Sequence, residues 1–394
     1  MPVTLTSQSA APMHRPVQQS SADNEVNEMT EERFPAPRAL AGGLTVHPIG
    51  VGCWAIGGPD HNLGLPMGWS TADDHASRAG LELAYTLGAN LFDTADVYGH
   101  GHSERLLGHL VEQVDRDSLV LSSKVGYFAG TAAHAYLPAA MRRQLETSLE
   151  NLRTDRLDIY FFHTSEFGPD DRYLDGAVAQ MREFQRQGLV RCVGMRGPHR
   201  YAPDRLIQPR SDRPDKHARF RVLFERIRPD FLAVRHNPLT PPPPAGQPDI
   251  FTLAADHHIS ILINKPLGQG LLTGKHDPRR PPQFGAGDHR QRKRWYTPDA
   301  LALVERHLAP LRDRFGPSTR DLVRVALAYS LQRADSAAVL VGFTTPDQVR
   351  ENLTALDTPL SGDDLSFVRA TLGQLQQDLD AAGEVFLDET ALPE

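Results

Sequence analysis

A chain of 394 residues holds one large domain or two smaller ones, and a 40% hydrophobic content is enough to build a sizeable core. The formal net charge of -7 argues against general nucleic-acid binding, and only Cys53 and Cys192 are present, which excludes a disulfide framework or a zinc site and fits a reducing, cytoplasmic setting. No apolar run is long enough to span a membrane, and the N-terminus lacks the basic start and apolar core of a secretory leader.

Residues 1–37 are polar, rich in Ser, Glu and Gln and aperiodic, the composition of a disordered tail. A strand–turn signal at Gly42-Gly43 leads into LTVHPIGVGCWAIGG, where apolar residues run up to Gly52-Cys53-Trp54. The pattern then predicts a helix over 71–87, with Asp73 and Asp74 in its first turn. NLFDTADVYGHGHSE follows at 90–104. Its apolar run ends in Asp93, its loop carries Asp96 and Tyr98, and Ser103 is the expected N-cap of the next helix.

SLVLSSKVGY is a buried-strand run ending in Lys124, and a helix opens at Pro138. RLDIYFFHT is a further strand ending in His163, followed by a helix over 174–187 that closes at Gly188. LVRCVGMRG, DFLAVRHN and ISILINKPLG are the next strands, with helices near 220–227 and 251–257 before the last two. Helices over 298–315 and 318–333 precede the strand AAVLVGF, and a final helix starts at Pro346. Residues 377–394 are expected to be a C-terminal tail, which leaves 38–376 as the folded domain.

Strand runs fall near residues 50, 91, 121, 160, 192, 232, 261 and 340, mostly separated by one helix. That alternation predicts an α/β protein of the (β/α)8 TIM-barrel class. A doubly wound open sheet alternates too, but carries a Gly-rich turn after its first strand. Here GVGCWAIGG lacks the third glycine of G-x-G-x-x-G, which favours the closed barrel.

Asp93, Lys124 and His163 end the second, third and fourth strand runs, and Tyr98 lies on the loop after the second. In a barrel these ends converge on one rim. Taken singly, each residue has an ordinary structural explanation; together they suit carbonyl reduction, which needs a hydride on carbon and a proton on oxygen. Tyrosine, with a pKa of about 10, serves as the acid if a lysine cation lowers that value. An aspartate would hold the lysine, and a histidine could donate a hydrogen bond to the carbonyl oxygen.

The stretches GCWAIGG, LGANLFDTADVYGHGHSERLLG, SSKVGY, LENLRTDRLDIYFFH, KPLGQGLLTGK and VGFTTPDQVRENL resemble the aldo-keto reductase family, in the style of its branch with potassium-channel β subunits and bacterial oxidoreductases. The resemblance covers roughly residues 38–360 and implies a TIM barrel, a nicotinamide cofactor (NADPH, with NADH possible) and the tetrad Asp93, Tyr98, Lys124 and His163. It further implies cofactor contacts from Gly52 and Trp54, from Lys265, Pro266, Leu267, Gly268, Gly270 and Lys275 along the pyrophosphate, and from Gly342, Thr344, Gln348, Glu351 and Asn352 at the adenosine end. Without the family, Thr345 reads as an N-cap, Pro346 as N1 and Gln348 as the closing residue of a capping box, and the free N–H groups of such a helix start suit an anion.

Three family contacts to the nicotinamide carboxamide are absent. Gly194-Met195-Arg196-Gly197 replaces Gly-Val-Ser-Asn, and Ala233 replaces a glutamine. The ring-stacking aromatic falls on His236, and Arg196 is a candidate for either cofactor or substrate. Two basic insertions, 196–221 and 276–296, read first as solvated loops; alternatively the first gathers an anionic substrate such as a nucleotide-linked sugar, and the second folds over the cofactor phosphates. Pro241–Pro244 stiffens a loop. The expected function is NADPH-dependent reduction of an aldehyde or ketone, or the reverse, on a small-molecule substrate. The alternative is a nucleotide-binding barrel that acts through a protein partner. No metal site, no nucleic acid and no membrane are expected, and the oligomeric state is left open.

Overall fold

A computed structural model describes residues 34–382, apart from residue 63, 199–215 and 244–248. The expected N-terminal tail up to residue 33 and most of the first basic insertion lie outside the described residues, as does Pro244 of the proline run.

Eight parallel strands close into a barrel: β1 (Ile49–Gly52), β2 (Leu91–Asp93), β3 (Val120–Val125), β4 (Leu157–Phe162), β5 (Val190–Arg196), β6 (Phe231–Arg235), β7 (Ser260–Asn264) and β8 (Ala337–Gly342). Their order around the ring is β6-β7-β8-β1-β2-β3-β4-β5, the cyclic order of the chain. Every residue of β3 and β4 is buried, which is why these strands read as continuous runs with little polar alternation. Side chains facing inward, among them Leu91, Val120, Ile159, Phe231 and Leu262, form one apolar cluster. Those facing outward pack under the helices in a second, larger one.

The same inner cluster takes in Leu40, Leu44 and Val46 from an antiparallel hairpin, Arg38–Leu40 with Leu44–Val46. Its turn needs Gly42 and Gly43, at φ 70° and 69°. The Ala41 N–H donates to Ser260 Oγ at 2.8 Å, so the hairpin closes the end of the barrel where the strands begin. The opposite end, where the strands finish, is open to the loops.

The helices are α1 (Asp74–Thr86), α2 (His102–Val111), α3 (Pro138–Leu152), α4 (Leu174–Arg186), α5 (Lys216–Ile227), α6 (Ile250–Asp256), α7 (Pro298–Phe315), α8 (Thr319–Leu331), α9 (Pro346–Thr354) and α10 (Gly362–Ala381). Asp73 caps α1 by accepting from the Ala76 N–H at 2.8 Å. Ser103, the expected N-cap of α2, lies inside that helix. Gly101 takes the cap position at φ 80°, and Ser103 Oγ instead donates to the Cys53 carbonyl at 2.7 Å and meets Thr94 Oγ1 at 2.9 Å. The hydroxyl thus ties α2 to β1 and β2.

The run from Pro346 is two helices. Ser361 and Asp364 form a capping box that starts α10 afresh after Pro359, and α10 continues past Gln377 to Ala381. Among the described residues no helix is long and apolar enough to cross a membrane.

Candidate active site

Register brings the polar strand ends together. Asp93 lies opposite Ser122 on β3, and Lys124 lies one alternation further along the same strand. Lys124 Nζ donates to Asp93 Oδ2 at 2.8 Å and to the Thr94 carbonyl at 2.5 Å, and Ser122 Oγ donates to Asp93 Oδ1 at 2.8 Å. Both carboxylate oxygens are therefore engaged, and the buried ion pair is satisfied on each side. Lys124 Nζ lies 4.9 Å from the centre of the Tyr98 ring. His163 stands edge-on to Tyr98 with ring centres 6.0 Å apart, and edge-on to Tyr127 at 4.8 Å. All four residues of the expected tetrad line one cavity.

The electrostatics differ from the sequence expectation in one respect. Burial raises the Tyr98 pKa, and Lys124, which pulls it down, does not offset that. The phenol is therefore held in its protonated form rather than brought towards phenolate. Burial alone would discharge Lys124, but Asp93 and Tyr98 outweigh it and the amine is held above its ordinary value. Burial, reinforced by Lys124 and Arg196, pushes His163 well below the ordinary imidazole value, so the ring is neutral. Its Nδ1 is buried with no hydrogen-bond partner among the described residues.

The cavity has a volume of about 780 Å³, within the range of a ligand site. It runs from the tetrad to the start of α9. Of the expected cofactor contacts, Gly52, Trp54, Arg196, Lys265, Pro266, Leu267, Gly270, Lys275, Gly342, Thr344, Gln348, Glu351 and Asn352 line it. Gly268 and His236 do not. Gly268 is buried at φ 56°, where it turns the chain. His236 follows Ala233 and Arg235, which face the cavity, and the strand alternation turns it outward. There it stacks on Tyr329 at 5.7 Å and meets Phe251 edge-on, so it is a packed core ring and not a stacking platform for a cofactor. Burial, with help from Arg333, lowers its pKa to about 4.

At the far end Thr345 caps α9 as expected, accepting from the Gln348 N–H. Gln348 does not complete a capping box. Its Oε1 accepts instead from the Thr344 N–H at 2.8 Å, which binds the helix start to the end of β8.

Several lining residues carried no signal in the sequence: Trp69, Tyr127, Asn264, Gln269, His289 and Arg292. Gln269 is half-buried at φ 59°, and its buried amide nitrogen and oxygen have no partner among the described residues. A buried amide pair of this kind, between Lys265 and Lys275 on the cavity wall, fits a polar ligand such as a pyrophosphate.

Two loops meet over this wall. The Gly68 N–H donates to the Gly287 carbonyl at 2.9 Å, the Asp60 N–H to the same oxygen at 3.2 Å, and the His289 N–H returns to the Gly68 carbonyl at 2.9 Å. Buried Asp288 accepts from Ser70 N–H and Oγ at 2.9 and 2.8 Å and pairs with Arg290 at 2.7 Å. The Arg290 guanidinium is held between the Trp69 and Phe284 rings, 3.9 and 4.2 Å from their centres.

The model of the Aldo/keto reductase family matches residues 48–372. An NADH-specific methylglyoxal reductase of Escherichia coli K12 is 25% identical over 347 residues, covering 85% of this chain and 97% of that protein. An L-galactose dehydrogenase of Arabidopsis thaliana is also 25% identical, over 326 residues, covering 81% of this chain and 87% of that protein. Among solved structures, a glycerol dehydrogenase from Gluconobacter oxydans superposes with a TM-score of 0.65 at 21% identity, over 91% of this chain and 98% of that one. An aldo/keto reductase from Klebsiella pneumoniae in complex with NADP and acetate gives 0.58 at 20% identity, over 86% and 95%.

Proposed function

The chain belongs to the Aldo/keto reductase family and is an oxidoreductase, and within that family we propose that it reduces an aldehyde or ketone, or oxidises the alcohol, with Tyr98 as the proton donor and acceptor. One observation carries this reading. Asp93, Tyr98, Lys124 and His163 converge inside a single cavity of about 780 Å³ that extends to the start of α9. A nicotinamide dinucleotide, NADPH or alternatively NADH, supplies the hydride when bound. Lys265, Gln269, Gly270 and Lys275 would hold its pyrophosphate, and Thr344, Gln348, Glu351 and Asn352 its adenosine end.

The chain's own residues then divide the proton work. Tyr98, kept protonated by burial, gives its phenolic proton to the carbonyl oxygen as negative charge develops there. Lys124, fixed by Asp93 and the Thr94 carbonyl, stabilises the resulting phenolate by its charge. Neutral His163 orients the carbonyl oxygen through a ring N–H without competing as an acid. Trp54, Trp69 and Tyr127 line the same cavity. The lining bases Arg196, Arg235 and Arg292 suit an anionic or sugar-like substrate. Two free buried cysteines support action in the cytoplasm.

Incubating the protein with NADPH or NADH and a panel of neutral and anionic aldehydes and ketones, while following the absorbance of the reduced cofactor, tests this. Consumption that depends on both the carbonyl and Tyr98 is the expected outcome. No consumption with any pair overturns it.

A further inference from the structure

A second group of titratable side chains lies behind the barrel wall. Along β3, Ser122 and Lys124 turn inward to Asp93, and the alternation turns Ser123 outward. There Ser123 Oγ donates to Glu104 Oε1 of α2 at 2.7 Å, and Asn151 Nδ2 of α3 donates to Glu104 Oε2 at 3.1 Å. Tyr160 stands opposite Ser123 in the ladder, and its hydroxyl is buried with no partner among the described residues. Asp96, two residues before Tyr98, completes the group. Gln144 Nε2 of α3 donates to its Oδ2 at 3.3 Å, while its Oδ1 is buried with no partner among the described residues.

Two buried carboxyls, Asp96 and Glu104, are therefore met by neutral amides and hydroxyls. Among the described residues neither forms an ion pair. The Lys124 charge reaches both, but from the other side of β3, where the amine is paired with Asp93. Arg105 on α2 is exposed and donates to the His100 carbonyl at 3.3 Å. Arg143, Glu146 and Glu150 on α3 are exposed too. Burial holds the Tyr136 and Tyr160 phenols protonated. Two like charges taken out of water without a cation repel each other and lose their hydration, so one of the two acids is better kept neutral.

We propose that the folded protein holds one proton in this space at neutral pH, shared by the Asp96–Glu104 pair and resident mainly on Asp96. Asp96 is the better host because Glu104 has a donor on each oxygen, whereas Asp96 has one long contact and one bare oxygen. The electrostatics agree. Burial and the Glu104 charge raise Asp96 well above the ordinary carboxyl range, against smaller pulls from the Val97 N–H, Lys124 and Gln144. Burial raises Glu104 as well, against the bonds from Ser123 and Asn151. None of these four side chains, Asp96, Glu104, Ser123 or Tyr160, lines the cavity, so the inference does not depend on the proposed reaction.

The consequence for stability has a definite sign. An aspartate in the unfolded chain releases its proton at about pH 3.9, and the folded chain keeps it. The contribution of the pair is therefore complete below that pH and is lost progressively as the pH rises towards the folded value. Asparagine has nearly the shape of the neutral acid and no proton to lose, so Asp96→Asn escapes that loss.

Thermal melts of the wild-type protein and Asp96→Asn, run side by side from about pH 4 to about pH 8, test this. The variant is expected to melt close to wild type at about pH 4 and at least about 3 °C above it at about pH 8. Other titrating groups are common to both proteins and cancel in the difference. Glu104→Gln removes the competing charge and is expected to change the same way by a smaller amount. A second readout needs no variant. An infrared spectrum of the wild-type protein at pH 7 is expected to show the carbonyl stretch of a protonated carboxylic acid, shifted in heavy water, and Asp96→Asn is expected to lack it. A melting difference that stays flat or falls as the pH rises, or a wild-type spectrum without the protonated-acid band, overturns the inference and leaves the proposed function standing.

Discussion

The tetrad and the strap over the cavity wall are built by different means. The tetrad end is made of side chains on neighbouring strands, and the ladder register of β2, β3 and β4 fixes their separations. The strap over the cavity wall is made of backbone, with Gly68 and Gly287 exchanging hydrogen bonds with the opposite loop and Asp288 locking Ser70 and Arg290. A Cβ on Gly68 would come within 2.2 Å of the Gly58 carbonyl oxygen, so the close approach is available only to glycine there. The separations of the tetrad side chains are set by the rigid ladder. The strap is instead made of two loops that lie outside that ladder.

The largest expected effect tests the chemical end. Tyr98→Phe should lower kcat by at least about 100-fold, with the NADPH dissociation constant nearly unchanged. Turnover within a few-fold of wild type would remove Tyr98 from its proposed role.

Next comes the strap. Asp288→Ala leaves Arg290 without its carboxylate and Ser70 without its acceptor. It should cost about 3 kcal/mol of stability and speed cofactor release, read by denaturant titration and stopped-flow fluorescence. A variant as stable as wild type with unchanged release would show that the strap does not hold the ligand.

A smaller effect belongs to the barrel wall. The folded pKa of His236 is about 4, below the ordinary 6.5, so the unfolded chain binds a proton that the folded chain refuses in that window. Stability should be full above about pH 6.5 and fall by on the order of 3 kcal/mol as the pH drops towards 4. His236→Phe should flatten this portion of the curve in thermal melts. An unchanged acid limb would place the sensitive group elsewhere.

The smallest expected effect is a flat line. With His163 neutral and Tyr98 protonated, kcat/KM for reduction should not change between about pH 7 and 9, and should fall only where Tyr98 ionises, above its ordinary value of 10. An inflection near 6.5 would mean that His163 titrates during turnover.

Much of the fold was legible because its signals are local. Eight apolar runs separated by amphipathic segments lie where the eight barrel strands form, and the Gly42-Gly43 turn marks the hairpin. The tetrad was legible because three of its members end strand runs, and in this architecture strand ends share a rim. The N-cap of α2 was misjudged because Ser103 finds better partners across the fold, in Thr94 and the Cys53 carbonyl, than in its own helix. His236 was misplaced because the phase of a strand end decides which way a ring faces, and a shift of one residue reverses it.

The sequence by itself determined the barrel, the order of its elements and the identity of the groups gathered at its mouth, since periodicity and strand-end position need no long-range information. Only the tertiary structure decided the sign of the Tyr98 shift, the outward turn of His236, the orphaned Gln269 amide and the meeting of residues 60–70 with 285–290. Each of these depends on burial or on contacts between segments far apart in the chain. Such quantities arise when the ring closes and are carried by no single stretch of residues.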